Sequence, residues 1–227
     1  RVVAVVGQST TVDLATRLAN AQAFNDEAIG YVANGFRGAD KVVRQGYMAA
    51  AWIAGRLASA AIGESLTHCV VKGATDVYGP LTNDDIENCI NSGAMCFTFN
   101  NKKQVQIEYG INTLVTLADN QDDGWKKWRR VLTRYRLMDL IGAEWDALVG
   151  KIDNDQHGWG ILVAAAQKIV NQMITDGSLT AGTVMLDPDN QPTGDSAWCV
   201  IQDLYDKDSI EKMYMSFGFR FNVQTTT

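Results

Sequence analysis

His68 beside Cys69 is where an imidazole and a thiol adjoin in this chain. Neighbouring side chains of an extended segment leave opposite faces, so the pair could not share a proton there, and no thiol nucleophile is assigned. The four cysteines, Cys69, Cys89, Cys96 and Cys199, are 20, 7 and 103 residues apart, and His157 is the second of two histidines. A structural zinc site needs Cys and His in paired spacing, which is missing; dispersed thiols read as buried and reduced. Gly7-Gln8-Ser9-Thr10 stands where a nucleotide-binding protein keeps its phosphate loop. Neither the GxxxxGK[ST] pattern nor GxGxxG is present, and a tight turn between strand and helix is the plainer account. Asp153-Asn154-Asp155 offers oxygen ligands but lacks the glycine and distal glutamate of a calcium loop. It reads instead as the cap of a helix before Trp159, and Asp187 and Asp189 read as a solvated turn. Two histidines in these settings build no Ser-His-Asp arrangement. No catalytic residue, cofactor-binding residue or metal ligand is assigned.

The elements that would hold any site are legible in order. Val2–Val6 is an apolar, β-branched run of the kind expected in a strand buried on both faces. A helix capped by Thr10 or Thr11 follows, with Asp13 in its first turn and Leu14, Leu18 and Ala21 as its stripe. A second strand at Ala28–Ala33 completes a βαβ unit with a parallel pair. After a loop from Gly35 to Gln45, the alanine-rich run 47–62 predicts a closely packed helix. Short extended pieces at Val70–Val71 and Val77–Tyr78 precede a helix opened by Thr82-Asn83-Asp84-Asp85 and ending near Gly93. Residues 94–99 and 104–109 form a hairpin about Asn100-Asn101-Lys102. Two long helices, 122–149 and 159–174, lead through a polar loop (187–195) to a strand at 198–205.

The chain ends on an alternation. Met213, Met215, Phe217, Phe219, Phe221 and Val223 are apolar, with Tyr214, Ser216, Gly218, Arg220 and Asn222 between them. Period two gives one apolar face on a strand of roughly 36 Å, either closing its own sheet or donated to a neighbour's. The fold class is therefore α/β, a mixed sheet flanked by helices, with a C-terminal strand available for exchange between subunits. Residues 1–205 make the body and 206–227 the arm, with a polar hinge at Asp206, Lys207, Asp208 and Ser209.

A net charge of -6 over 227 residues disfavours non-specific binding to nucleic acid or anionic membrane, and no apolar run reaches membrane-spanning length. Against that acidity, Lys126, Lys127, Arg129 and Arg130 crowd the first turns of a helix, with Arg134 and Arg136 following. Cations there oppose the helix dipole by about 0.3–1 kcal/mol each. The cluster is either a docking face for an acidic partner or a solvated face with i,i+4 ion pairs. Opening at Arg1 with no Met, the chain reads as part of something longer.

Six segments in order resemble the contractile-tail sheath proteins of bacteriophages and phage-like particles, especially the defective-prophage type of Gram-positive bacteria. They are Gly46–Gly55 with Glu64–Thr67; Leu81–Ile86 leading to Gly93; Tyr109–Leu114; Arg129–Leu132; Gly150–Asn154; and Ile210–Met215. The resemblance implies the inner, C-terminal part of such a protein: a non-enzymatic virion-tail subunit without cofactors, assembled in the bacterial host cytoplasm. It implies a homo-oligomer of stacked hexameric rings around a tail tube, with baseplate and tail terminator at the ends, no direct nucleic-acid contact and no membrane insertion. Chain termini of that family exchange strands, which places Met213–Val223 in the exchange and makes Lys126, Lys127, Arg129, Arg130 and Arg134 candidates for gripping the tube. A sheath of a contractile bacteriocin or secretion-type machine is the alternative within this class, and an α/β nucleotide-binding domain or enzyme built on residues 2–33 the alternative outside it.

Overall fold

The computed structural model describes residues 1–219. Its first unit is β1 (Ala4–Gly7), α1 (Leu14–Phe24) and β2 (Ile29–Val32), with β1 and β2 parallel in the register Ala4 to Ile29. β1 lies at the edge of its sheet and is half-buried, with Val2 86% exposed, so the apolar run is not enclosed on both faces. Asp13, rather than Thr10 or Thr11, caps α1: its carboxylate accepts from the Thr16 amide at 2.9 Å. Thr11 is held in the preceding turn, its hydroxyl 2.9 Å from that of Ser9.

The stretch expected as a loop from Gly35 to Gln45 folds into β3 (Gly35–Gly38) and β4 (Val43–Arg44). Arg44 reaches back to Asp40 at 2.7 Å to close that turn. α2 (Gly46–Ser59) follows, and β5 (Ala74–Tyr78) completes the antiparallel order β4-β3-β5. α3 (Asn83–Asn91) opens at the expected cap with acids in its first turn, and Thr82 and Asp85 bond reciprocally in a capping box. The 94–99 run divides between two sheets. Its first half, β6 (Ala94–Met95), pairs parallel to β2, while β7 (Phe97–Phe99) turns into a hairpin with β8 (Val105–Ile107).

The helix expected over 122–149 is broken. Asp123–Lys126 is a single 3-10 turn, Lys127 is extended, and α4 runs Trp128–Asp146. α5 (Gln156–Thr175) packs against α4 and is capped by Asp155, whose carboxylate accepts from Gly158 N–H at 2.8 Å. β9 (Leu179–Leu186) and β10 (Cys199–Asp206) form an antiparallel ribbon. The sheet is thus four small sheets among the described residues, not one.

Three apolar clusters hold these elements. Trp128, fully buried, inserts the start of α4 into the largest, beside Val32, Ile53, Met95 and Ile107. The second lies between α1 and α3. The third joins Leu137 and Ile141 of α4 to Val170 and Met173 of α5 and Leu179 and Val184 of β9. α4 therefore belongs to two cores at once, and its two ends fix the ribbon relative to the N-terminal sheets.

α2 approaches β1 through glycine on both sides. A Cβ on Gly7 would lie 2.5 Å from the carbonyl oxygen of Gly46, and one on Gly46 would lie 2.6 Å from that of Gln8. Both obstacles are backbone and cannot rotate away. Gly7→Ala is expected to destabilise the protein by about 2 kcal/mol through overpacking, measured by urea unfolding; a loss below about 0.5 kcal/mol would show that the approach is not tight.

Candidate functional site

The turn at Gly7–Thr10 is filled from within. Ser9 Oγ donates to Gln45 Oε1 at 2.5 Å and the Thr10 amide to the same oxygen at 3.3 Å, so these donors face a side chain of this protein. His68 and Cys69 make separate contacts: the imidazole lies 3.8 Å from Glu108, and the thiol accepts from Arg56 Nε at 3.4 Å. His68 adopts a left-handed backbone (φ 57°), a turn rather than a strand. Asn154 donates from Nδ2 to Gly194 O (2.7 Å) and accepts at Oδ1 from Trp159 Nε1 (2.6 Å), and Asp187 accepts from Asp189 N and Asn190 Nδ2. Each motif that might have carried chemistry has a local structural use.

The basic start of α4 has a use of a different kind. Arg130 forks onto Asp206, with Nε and Nη2 each 2.7 Å from a carboxylate oxygen, and a second pair of contacts reaches Asp122 at 3.2–3.3 Å. The Arg130 and Asp206 side chains are only 16% and 12% exposed, so the pair is largely shielded from water. Arg130 reaches Asp206 by lying across Gly124, where a Cβ would overlap its guanidinium. The hydrogen bonds that Arg130 donates to Asp206, working against burial, push it above its already high pKa. Arg134 stacks on Trp125 at 3.9 Å and completes the group 3.9 Å from both Asp122 and Asp206. Burial lowers its pKa, since the neighbouring carboxylates only partly compensate.

One turn earlier, Lys127 Nζ is 2.6 Å from Asp208 and 3.3 Å from Glu211. Glu211 is the most enclosed carboxylate of the group, with its side chain 7% exposed. The hydroxyls of Ser65, Thr67 and Ser209 donate to its Oε1 at 2.9–3.0 Å. Lys127, Arg130 and Arg134 thus bind acids 72 to 84 positions away in sequence, and the two arginines also reach Asp122, so these three make neither a free docking face nor a solvated face with i,i+4 pairs; Arg129 has no ion-pair partner among the described residues. Lys126 pairs within its own turn, with Asp123 at 2.9 Å.

This arrangement brings together the expected tube-contact residues and the expected hinge. Asp206 closes β10, and the Lys207 amide donates to Ser178 O at 3.0 Å, so 206–209 is anchored to the body. The chain leaves the body after Glu211. Met213, Met215, Phe217 and Phe219 are 71–90% exposed, and 213–219 forms no strand pairing among the described residues. Phe217 and Phe219 stack on each other at 6.3 Å, the same-face relation that the alternation implies. Phe221 and Val223 lie outside the described residues. Ser65, Thr67 and Glu211 had no individual role in the sequence reading; the signal available was three acids at 206, 208 and 211 against cations at 127 and 130.

Residues 1–113 match the family model of the phage tail sheath protein central domain. By this segment the chain belongs to the phage tail sheath family. The phage-like element PBSX protein XkdK of Bacillus subtilis (strain 168) is 30% identical over 131 residues, 56% of this chain and 27% of that protein. The chain covers less than a third of the curated relatives it matches. Among solved structures, the sheath tail protein of Desulfitobacterium hafniense aligns with 95% of this chain and 48% of its own, at TM-score 0.72 and 24% identity. That of Listeria innocua aligns with 88% and 56%, at TM-score 0.62 and 21% identity. At these identities the likeness is one of fold, and it extends beyond residue 113, so the sheath fold includes α4, α5 and the ribbon.

Burial opposes ionisation of Asp208, but the Lys127 hydrogen bond, the Ser209 amide and the charges of Lys127 and Arg130 outweigh it and hold the carboxyl below its ordinary value. A carboxylate depressed on folding stabilises above its unfolded pKa, about 3.9, and that contribution is lost as pH falls through the folded value. The Ser209 amide donates to Asp208 Oδ1 at 2.8 Å and reports on it. An NMR titration of that amide is expected to show a midpoint below about 3.9, and a midpoint at or above it would contradict the pairing.

Proposed function

We propose that this chain is a subunit of a contractile tail sheath, a homo-oligomer that encloses a tail tube and shortens to drive it through a bacterial envelope. The observation that carries the reading is the conjunction of a sheath central domain over residues 1–113 with an apolar arm standing off the body beyond Glu211. Each large apolar side chain of that arm gains about 1.5–3 kcal/mol on burial, a strong drive toward a covering surface.

A covering surface of the right kind is the β9–β10 ribbon. Two strands alone leave unpaired backbone at both edges, and Leu204 and Tyr205 of β10 are exposed, at 38% and 59%. A neighbour's arm added there would supply main-chain hydrogen bonds and bury both sets of side chains. Links of this type survive while rigid subunits slide into a wider, shorter lattice, and the energy for that step is stored in the interfaces at assembly, without nucleotide. The anchored root at 206–211 sets where the arm leaves, and turning occurs at Lys212 and beyond. Lys127 and Arg130 serve that root. Contact with the tube falls on Lys126, whose partner Asp123 is itself 86% exposed. Baseplate and tail terminator would cap the assembly, in a virion tail built in the host cytoplasm.

Deleting residues 213–227 is expected to leave a monomer that unfolds cooperatively with its usual far-UV circular dichroism, while striated tubes disappear from negative-stain electron micrographs. Ordered tubes formed by the deleted protein would contradict the donated arm.

A further inference from the structure

The side of α4 turned away from the arm root holds a cation without a counter-ion. Arg129 takes part in no ion pair among the described residues, and its Nε is buried with no hydrogen-bond partner. It lines a cavity of about 610 Å³ between the end of α2, the 60–64 turn and α4, floored by Val3, Leu57 and Leu132 and rimmed by Arg1 and Arg136. The acids of this cavity are already engaged. Glu64 pairs with Arg56 and accepts from the Ala61 amide, and Asp139 pairs with Arg1 at 2.8 Å. Among the described residues, Arg129 and Arg136 remain as two guanidiniums without an ion-pair partner in a partly apolar hollow. A buried N–H with no acceptor costs about 1–3 kcal/mol, and a guanidinium fork is matched best by a carboxylate.

The opposite end of α4 has the complementary excess. Asn154, just before α5, hydrogen-bonds Gly194 and so fixes the 187–195 loop at the far end of the helix. Asp189 and Asp195 in that loop are exposed and form no ion pair among the described residues, while Pro188 and Pro192 stiffen it. Arg129 and Asp146 bracket 17 residue steps of α4, about 26 Å, too far for the loop of the same molecule to reach the cavity. We propose that the Arg129–Arg136 cavity is a socket for the acidic 187–195 loop of a second copy of this chain. A socket at one end of a helix and its plug at the other make a head-to-tail contact, which propagates into rings or filaments instead of closing as a dimer.

The inference rests on the sheath reading only in that copies meet. Sedimentation velocity of the intact chain at low ionic strength tests it with two charge-reversed variants, R129E/R136E and D189K/D195K. The wild type is expected to self-associate and to lose this as salt rises, with each variant about tenfold weaker. Mixing the two variants supplies one native socket–plug pair and one of reversed sign, and is expected to restore association. The loop variant alters exposed side chains only, so the comparison stands even if R129E/R136E folds poorly. A monomeric wild type, salt-independent association, a loop variant that associates like the wild type, or two folded variants that do not rescue each other would each overturn the socket. Tubes that persist in the loop variant would remove the socket while leaving the sheath reading intact.

Discussion

The fork of Arg130 on Asp206 is the contact on which the C-terminal half depends. It joins the first turn of α4 to the last residue of β10 across a sequence distance of 76 positions. Cations in the first turn of a helix oppose its dipole, so this placement is unfavourable on local grounds. It becomes favourable because Asp122 and Asp206 supply the negative charge there, and because Gly124 leaves room for the guanidinium to reach both. Trp128 anchors the same turn in the main core. One helix start therefore carries a hydrophobic plug on one side and an electrostatic clamp on the other.

From that point the arm's path follows. Asp206 ends the ribbon on Arg130, Asp208 and Glu211 lie against Lys127, and the Ser65 and Thr67 hydroxyls close around Glu211. The next described residues are exposed and apolar. Under the proposed reading, a root held through buried charge would present the exposed apolar side chains beyond it to a partner supplied from outside. In a sheath, such a root would keep the direction of the arm constant while the partner's body moves.

How much of this was legible in the sequence varied with the physical origin of each feature. The βαβ start, the helix opening at Thr82–Asp85, the Phe97–Ile107 hairpin and the cap before Trp159 rest on local chemistry and are legible in it. β9 is not, because Leu179–Leu186 contains Gly182 and no clean alternation; the glycine is there because a Cβ would come 3.0 Å from Leu204 and Val170. β3 and β4 carry no clear strand signal because glycine and charge dominate them, and their strand character comes from pairing with each other and, for β3, with β5. The helix expected over 122–149 breaks at Lys127, where the Asn112 amide donates to Lys126 O and the Trp128 amide donates to Gly110 O, overriding the periodicity. For the site, the cations and the acidic stretch were each singled out, but not their mutual pairing. Charge pairing over tens of residues leaves no spacing signature, and that is why the basic face read as a docking surface and the anchored root read as a hinge.

The most direct measurement is a double-mutant cycle on Arg130 and Asp206. The substitutions Arg130→Met and Asp206→Asn would be combined singly and together, with stability read by urea unfolding. Partial shielding of the pair predicts a coupling of about 2 kcal/mol, beyond the 0.2–1 kcal/mol of exposed ion pairs. Additivity within about 0.3 kcal/mol would mean that the clamp does not hold the ribbon to α4, and the account of the arm root would fall with it.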